Sequence, residues 1–143
     1  MIMALRRIAL HSIRSQKVAV VGIIRPRTFK TCSILGDTFT IQDVDDFKTK
    51  VLSSDVPVVV DFSATWCGPC KILGPRLDAA IAATNSKVNL AVVDIDDNSD
   101  LAIEHGVQAV PTVVAFKDGQ IVDKFVGLLD EDKLGAFVSN LHD

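Results

Sequence analysis

The chain has 143 residues, 48% of them hydrophobic, and a formal net charge of −3, which suits one globular domain with a terminal extension. The longest apolar run near the N-terminus, Val18–Ile24, is far shorter than the roughly 20 residues of a membrane-spanning helix. We therefore expect a soluble chain without a membrane segment.

The charge is unevenly divided along the chain. Residues 1–36 hold seven of the fifteen Lys and Arg residues and none of the eighteen acids, so residues 37–143 carry a net charge of −10. Such an asymmetry indicates that the two parts have different roles. An acidic body would be repelled by a phosphate backbone, which argues against nucleic-acid binding.

Residues 1–36 have the composition of a targeting segment. The first three arginines fall near one side of a helix, with apolar residues broadly opposite. This amphipathic, Arg-rich, acid-free pattern is typical of a mitochondrial transit peptide. We therefore expect cleavage near Phe29–Gly36, loss of Cys32 with the leader, and a mature protein in the mitochondrial matrix. A secretory signal around Val18–Ile24 and a disordered basic arm are the alternatives.

Residues 37–143 alternate between strand-like and helix-like patterns. Short apolar runs bounded by turns predict strands, and apolar residues at helical spacing predict helices. The predicted strands are Thr38–Gln42, Val56–Phe62, Val88–Val93, Thr112–Lys117 and Ile121–Val126. The predicted helices run from Asp43 to about Leu52, from Cys67 to about Thr84, from Leu101 to His105 and from Asp130 to Leu141.

This order predicts an α/β fold, a three-layer α/β/α sandwich on a mixed central sheet, in one domain from residue 37 to 143. Val56–Phe62 is apolar on both faces, so we place it in the middle of the covered sheet. Asp118-Gly119 predicts a tight hairpin turn. His105 is expected to be exposed to solvent.

The segment Cys67-Gly68-Pro69-Cys70 carries the chemistry of the chain. A cysteine at the first turn of a helix faces free backbone N–H groups and the positive end of the helix dipole, and both stabilise a thiolate. Cys67 has this position and is the expected nucleophile. Cys70, one turn further, can attack the mixed disulfide that Cys67 forms. Gly68 permits a tight turn, and Pro69 is tolerated in a first helical turn.

Two other uses of these cysteines remain open. Structural zinc needs about four ligands, and the chain has three cysteines and three histidines without a second Cys-x-x-Cys or a His-x-x-x-His. We therefore expect no metal site. An inert structural disulfide conflicts with a leader to a reducing compartment. The acidic stretch Asp94–Asp100 lacks the spacing of a calcium loop and predicts a solvated turn before a helix.

Asp61 lies inside an apolar run, Val58 to Phe62. Burying a charged carboxyl group is costly, so the run predicts a raised pKa for Asp61. Six residues before Cys67, Asp61 is expected to lie under the site and to accept the proton of Cys70 through a water molecule. The alternative is an acid at a strand end that reaches solvent.

Taken in order, the motifs resemble those of the thioredoxin family, over roughly Phe39–Leu141. From the residues alone, Pro111 at the start of a strand would indicate an edge strand or a bulge. The Val110-Pro111 pair also matches a motif of the thioredoxin family. The matching motifs are Trp66-Cys-Gly-Pro-Cys70, Asp61, Pro75, Val110-Pro111-Thr112, Phe116–Gln120 and Phe125–Gly127. The resemblance implies the thioredoxin fold.

The resemblance implies roles that the residues alone do not. It implies a cis Val110–Pro111 bond, with Pro111 packed against the disulfide and the Val110 backbone pairing with an extended substrate segment. It also implies an apolar surface around the attacking sulfur, formed by Trp66, Gly68, Pro69 and the loop at Gly127. Two departures from bacterial members stand out: Ser63 replaces a second Trp, and Val92 replaces a Lys near the buried acid. Losing that cation would raise the proton affinity of Asp61.

The activity implied by the resemblance is that of a protein-disulfide reductase. The family's members bind no cofactor, and the implied electrons come from NADPH through thioredoxin reductase. The implied partners are thioredoxin reductase, peroxiredoxins and other disulfide-containing proteins. The protein itself is implied to be a monomer. An oxidase or isomerase is disfavoured by the Gly-Pro dipeptide, since oxidising relatives commonly carry a His there. A redox-gated binding module that uses the same surface remains open.

Overall fold

The computed structural model describes residues 36–142; the predicted transit peptide, Cys32 included, lies outside them apart from Gly36. The predicted order of elements is confirmed. Within the described residues the strands are β1 (Thr38–Thr40), β2 (Val58–Ser63), β3 (Asn89–Asp94), β4 (Thr112–Lys117) and β5 (Gln120–Val126). The helices are α1 (Val44–Phe47, continued by a π-helical segment at Lys48–Leu52), α2 (Gly68–Ala82), α3 (Ser99–Glu104) and α4 (Glu131–Ser139).

The strands form a five-stranded mixed sheet in the order β1-β3-β2-β4-β5. β3 pairs in parallel with both β1 and β2, whereas β4 runs antiparallel to β2 and to β5. β2 is the central strand and is almost fully buried, as the two-sided apolar run predicted. A mixed sheet follows from the connections: helices join the parallel strands and a tight hairpin joins β4 to β5.

Helices cover both faces of the sheet, so the predicted three-layer sandwich is confirmed. Side chains alternate along a strand, and the two buried clusters divide β2 accordingly. One cluster contains Ile41, Phe47, Val51, Val58, Val60, Phe62, Ala91, Val93, Leu101, Val114 and Phe116. The other contains Val59, Leu73, Leu77, Ile81, Val88, Leu90, Val113, Ala115, Leu134, Phe137, Val138 and Leu141. By the same alternation, Asp61 lies on the face of the sheet that α2 and α4 cover.

The helix starts follow local capping rules. Asp43 accepts a hydrogen bond from the Asp46 backbone N–H at 2.8 Å, and Asp130 accepts one from the Lys133 N–H at 2.9 Å. Each satisfies a donor that the first turn would otherwise leave free. Both helices therefore begin where the sequence predicted.

The β4–β5 hairpin turns at Asp118-Gly119, whose φ angles are 52° and 73°. Two successive positive φ angles match the twist of a two-residue hairpin. A Cβ on Gly119 would lie 2.9 Å from the Leu52 carbonyl oxygen. Glycine is therefore required here both for its backbone conformation and for the close approach of the segment after α1.

Two expectations about single residues are wrong. His105 is half-buried: its ring centroid lies 5.0 Å from that of Phe47 and 5.5 Å from that of Phe116. Burial lowers the pKa of His105, because the apolar surroundings disfavour its charged form. Pro111 precedes β4, which lies between β2 and β5 and is not an edge strand. The bulge in β4 is at Ala115 and Phe116, away from the proline.

None of the helices in the described part of the chain is both long enough and apolar enough to cross a membrane.

Candidate active site

Cys67 is the N-cap of α2, a helix of 15 residues. Its backbone is extended, and its Sγ accepts a hydrogen bond from the Cys70 backbone N–H at 3.2 Å. Pro69 occupies the first helical turn, where its missing N–H leaves no hydrogen bond unmade. Cys67 is joined to Cys70 by a disulfide, with 5.4 Å between their Cα atoms. The Cys67 sulfur is thus held at the positive end of the helix dipole.

The disulfide is packed on its inner side. Cys67 and Cys70 are 4% and 6% exposed, and they form a small cluster with Ala64. Ile95 and Val110 pack against this cluster. This apolar packing fixes the position of both sulfurs and leaves only a narrow part of the disulfide open to solvent.

The Val110–Pro111 peptide bond is cis, as the resemblance implied. Pro111 is buried, and its carbonyl oxygen accepts a hydrogen bond from the Gly127 backbone N–H at 2.8 Å. Gly127 has a φ of 87°, a conformation that glycine adopts without strain. The loop after β5 is therefore tied to the segment that carries Val110.

The residues that flank Cys67 in the chain, Trp66, Gly68 and Pro69, are exposed, Trp66 by 66%. The Trp66 indole Nε1–H donates to the Asp96 Oδ2 at 2.9 Å, and Asp94 Oδ1 accepts from the Asp96 backbone N–H at 2.9 Å. Sequence reasoning missed Asp96 as the partner of Trp66. The two residues are 30 positions apart, and only the parallel pairing of β2 and β3 brings their strand ends together.

Asp61 lies beneath the disulfide, in a cleft of about 330 Å³ that it shares with Cys70. Asp61 is 3% exposed, and burial, with a smaller contribution from the negative charge of Asp78, raises the pKa of its carboxyl group to about 6. The strand neighbours of Asp61 are Val92 on β3 and Val113 on β4, so neither offers a compensating charge. A group with a pKa near 6 can exchange a proton with a thiol at physiological pH.

Of the nine predicted site residues, Cys67 and Cys70 form the disulfide, Val110 packs against it, and Asp61 shares a cleft with Cys70. Pro111 follows Val110 and is joined to Gly127 by a backbone hydrogen bond. In chain order, the nine are Asp61, Trp66, Cys67, Gly68, Pro69, Cys70, Val110, Pro111 and Gly127. Within residues 36–142, no group of three or more His, Cys, Asp or Glu side chains is arranged to hold a metal ion.

Comparison with known proteins gives consistent matches. The family model described as thioredoxin matches residues 38–140. Mitochondrial thioredoxin of Rattus norvegicus is 58% identical over 115 residues, which cover 80% of this chain and 69% of that protein. The Mus musculus protein of the same name is 57% identical over 115 residues, with the same coverage of both chains. The solved thioredoxin of Malassezia sympodialis superposes with a TM-score of 0.68 at 40% identity, covering 76% of this chain and 93% of that one.

Proposed function

The chain belongs to the thioredoxin family and is a protein-disulfide reductase, and we propose which residue performs each step of its reaction. Cys67 is the attacking nucleophile, Cys70 resolves the mixed disulfide, and Asp61 exchanges the proton of Cys70. The observation that carries this assignment is the position of Cys67. It is the N-cap of α2 and is joined to Cys70 one turn further along the helix.

The reaction proceeds in two displacements. In the dithiol form, the Cys67 thiolate attacks one sulfur of the target disulfide, which forms a mixed disulfide and releases the first target thiolate. The Cys70 thiolate then attacks the Cys67 Sγ, which closes the Cys67–Cys70 disulfide and releases the second target thiolate. Two electrons and two thiol protons leave the protein, and the target disulfide becomes two thiols.

Cys67 and Cys70 are suited to different steps by their surroundings. Cys67 follows the exposed Trp66, and the helix N-terminus stabilises its thiolate. Cys70 lines the cleft of Asp61, so its proton has a nearby acceptor. We assign Asp61 as the base that takes this proton through a water molecule. Its pKa of about 6 leaves it mostly ionised at pH 7 and above.

We assign target binding to the surface around Cys67. Val110 offers the backbone N–H and C=O groups of a segment held in place by the cis peptide bond and the Gly127 hydrogen bond. An extended target segment can pair with such a segment as a short added strand. Trp66, Gly68 and Pro69 provide apolar contact on the opposite side.

The proposal extends to electron supply and location. The reductase needs no bound cofactor; we propose that it receives electrons from NADPH through thioredoxin reductase and passes them to peroxiredoxins and other disulfide-containing proteins, acting as a monomer. We further propose that residues 1–36 direct the chain to the mitochondrial matrix and that residues 37–143 form the working domain. Support comes from the acid-free, Arg-rich leader and from relatives named mitochondrial.

The test uses the full chain with Cys32→Ser, so that only the two site cysteines can react. With dithiothreitol as reductant, this protein should accelerate insulin disulfide reduction, and Cys67→Ser should abolish the acceleration. Cys70→Ser should instead accumulate a covalent mixed disulfide with the target, visible by non-reducing electrophoresis. Full turnover by either variant would contradict the assigned roles, and no acceleration by the parent would favour a redox-gated binding module.

A further inference from the structure

The cleft beneath the disulfide reaches from Asp61 to solvent. Asp61, Val92 and Thr40 lie side by side across β2, β3 and β1, and all three line the cleft. Asp61 is buried, whereas Thr40 at the edge of the sheet is exposed. Among the described residues, the Asp61 Oδ1 has no hydrogen-bond partner. A buried carboxyl oxygen normally has a partner, so water in the cleft is the group that can serve it.

The opposite wall of the cleft is α2, which lines it with Cys70, Lys71 and Gly74. On a helix, residues four apart share a face, so Gly74 follows Cys70 on the side that borders the cleft. A Cβ added at Gly74 would have no atom within 4 Å apart from its chain neighbours and the backbone of its own helix. Close packing therefore does not require a glycine here, although a glycine inside a helix costs about 0.5–1 kcal/mol relative to alanine. What the glycine provides is open space between Cys70 and solvent.

We propose that Gly74 keeps a water-filled passage open between solvent and Asp61, and that this passage carries to solvent the proton that Asp61 takes from Cys70. Gly74 is thus a positioning residue, which acts through the water it admits. The inference rests on the proposed function, because it assumes that Asp61 is the proton acceptor of Cys70.

The proton balance explains why the passage matters. When Cys70 attacks the Cys67 sulfur, a new S–S bond forms, the bond from Cys67 to the target sulfur breaks, and the electron pair leaves with the target thiolate. The Cys70 proton moves to the Asp61 carboxylate. Asp61 must lose that proton before it can accept another, and the passage lets water take it directly. Reduction of the disulfide by the electron donor runs through the same path in reverse.

The charges around Asp61 favour retention of that proton. The titratable groups that face it from α2 are Cys70, Lys71 and Asp78, and Asp94 of β3 lines the same cleft. From β1 and β4 it meets Thr40 and Val113, which carry no charge. The Asp78 carboxylate opposes ionisation of Asp61, and water in the cleft is the group that can stabilise the Asp61 carboxylate. A closed passage would remove that stabilisation.

The test compares variants of the full chain carrying Cys32→Ser. Gly74→Leu should fill the passage, Gly74→Ala should fill part of it, and Gly135→Leu is the matched control. Gly135 is also a helical glycine with no atom near its missing Cβ, but it lies on α4 and lines a different groove, beside Arg76 and Glu131. Thr40→Phe, on the exposed edge strand, narrows the passage from the opposite wall and does not depend on tolerance of a leucine before Pro75.

The first readout is the NMR titration of Asp61 in the oxidised protein, where neither site cysteine titrates. Gly74→Leu should raise the Asp61 pKa from about 6 to about 7 or higher, because it excludes water from the carboxylate. The effect should grow from Gly74→Ala to Gly74→Leu. If the substitutions acted by stabilising the helix instead, Gly74→Ala should have the larger effect, because alanine is the better helix former. Gly135→Leu should leave the titration unchanged.

The second readout is the rate at which Cys70 resolves a preformed mixed disulfide, followed from pH 6 to 9. Gly74→Leu should slow this step about fivefold at pH 6 and about twofold at pH 7, and the loss should shrink further as pH rises and Asp61 ionises. An unchanged Asp61 titration and an unchanged rate in both Gly74→Leu and Thr40→Phe would overturn the proposal. The titration of Asp61 does not depend on enzymatic turnover. An inactive parent protein would therefore refute the proposed function, while the titration would still test the access of water to Asp61.

Discussion

At the scale of single residues, Asp61 is the place where stability and chemistry conflict. The residue is 3% exposed and lies on the sheet face that α2 and α4 cover. Neither strand neighbour, Val92 or Val113, can donate a hydrogen bond or a charge from its side chain. Ionising Asp61 in that position destabilises the folded state relative to the unfolded one. Packing therefore does not account for an acid at this position, whereas the proposed proton transfer does.

This conflict predicts how Asp61→Asn changes stability with pH. The pKa of Asp61 is raised from 3.8 to about 6 in the folded protein, so the folded state binds the proton more tightly than the unfolded state. The loss of folding stability caused by the charge of Asp61 is therefore absent below about pH 4, grows between pH 4 and 6, and is complete above pH 6. The pKa difference corresponds to about 3 kcal/mol. Asp61→Asn should thus stabilise the oxidised protein by about that amount at pH 8 and by much less at pH 4.

Urea unfolding of both proteins at the two pH values measures this difference. His105, whose pKa is lowered by burial, is present in both proteins, so its contribution cancels at each pH. A gain of equal size at pH 4 and pH 8 would show that the substitution acts through packing and not through the charge of Asp61.

At the scale of elements, the hairpin between β4 and β5 depends on one glycine. Gly119 combines a φ of 73° with a missing Cβ that would lie 2.9 Å from the Leu52 carbonyl oxygen. Gly106, at the end of α3, has a similar φ of 62° and open space around it. The two positions separate the cost of backbone conformation from the cost of contact.

Gly119→Ala should therefore destabilise the protein more than Gly106→Ala. Both variants bear the conformational cost of about 1 kcal/mol for a side chain at positive φ, and Gly119→Ala must also displace the backbone at Leu52, for a total of about 2–3 kcal/mol. Urea or thermal unfolding of the two variants beside the parent checks the order. Equal losses of unfolding free energy in the two variants would mean that the hairpin and the segment at Leu52 can move apart without a cost in stability.

The elements also mark what the sequence could and could not predict. The apolar run of Val56–Phe62 indicated a central strand because no other environment covers both of its faces, and Asp43 and Asp130 indicated helix starts through local capping. Contacts between distant segments left no local signal. The hydrogen bond from Trp66 to Asp96 and the packing of His105 among phenylalanines depend on strand order, which the one-dimensional pattern does not encode. For the same reason, the sequence did not show that the strand after Pro111 lies inside the sheet and not at its edge.

At the scale of the whole molecule, the folded body and its site share a negative charge. Residues 37–143 carry a net charge of −10. Asp96, which accepts a hydrogen bond from Trp66 of the proposed target surface, is exposed, and so are Asp97 and Asp100 a few residues further along the chain. Lys71 is exposed and lines the cleft. A field of one sign around a reactive centre accelerates the approach of oppositely charged partners and slows that of like-charged ones.

The charge predicts a preference among otherwise equal substrates. Two synthetic peptides with the same disulfide, one flanked by lysines and one by glutamates, should differ in kcat/KM by about tenfold or more at low ionic strength, with the basic peptide faster. The difference should shrink at about 0.5 M salt, where the screening length falls to a few ångströms. Replacing Asp97 and Asp100 together by Asn should reduce the preference at low salt and leave kcat nearly unchanged, because neither residue contacts the disulfide. If the two peptides show the same kcat/KM at every salt concentration, encounter is governed by the apolar surface around Cys67, and the acidic rim serves only to keep the protein in solution.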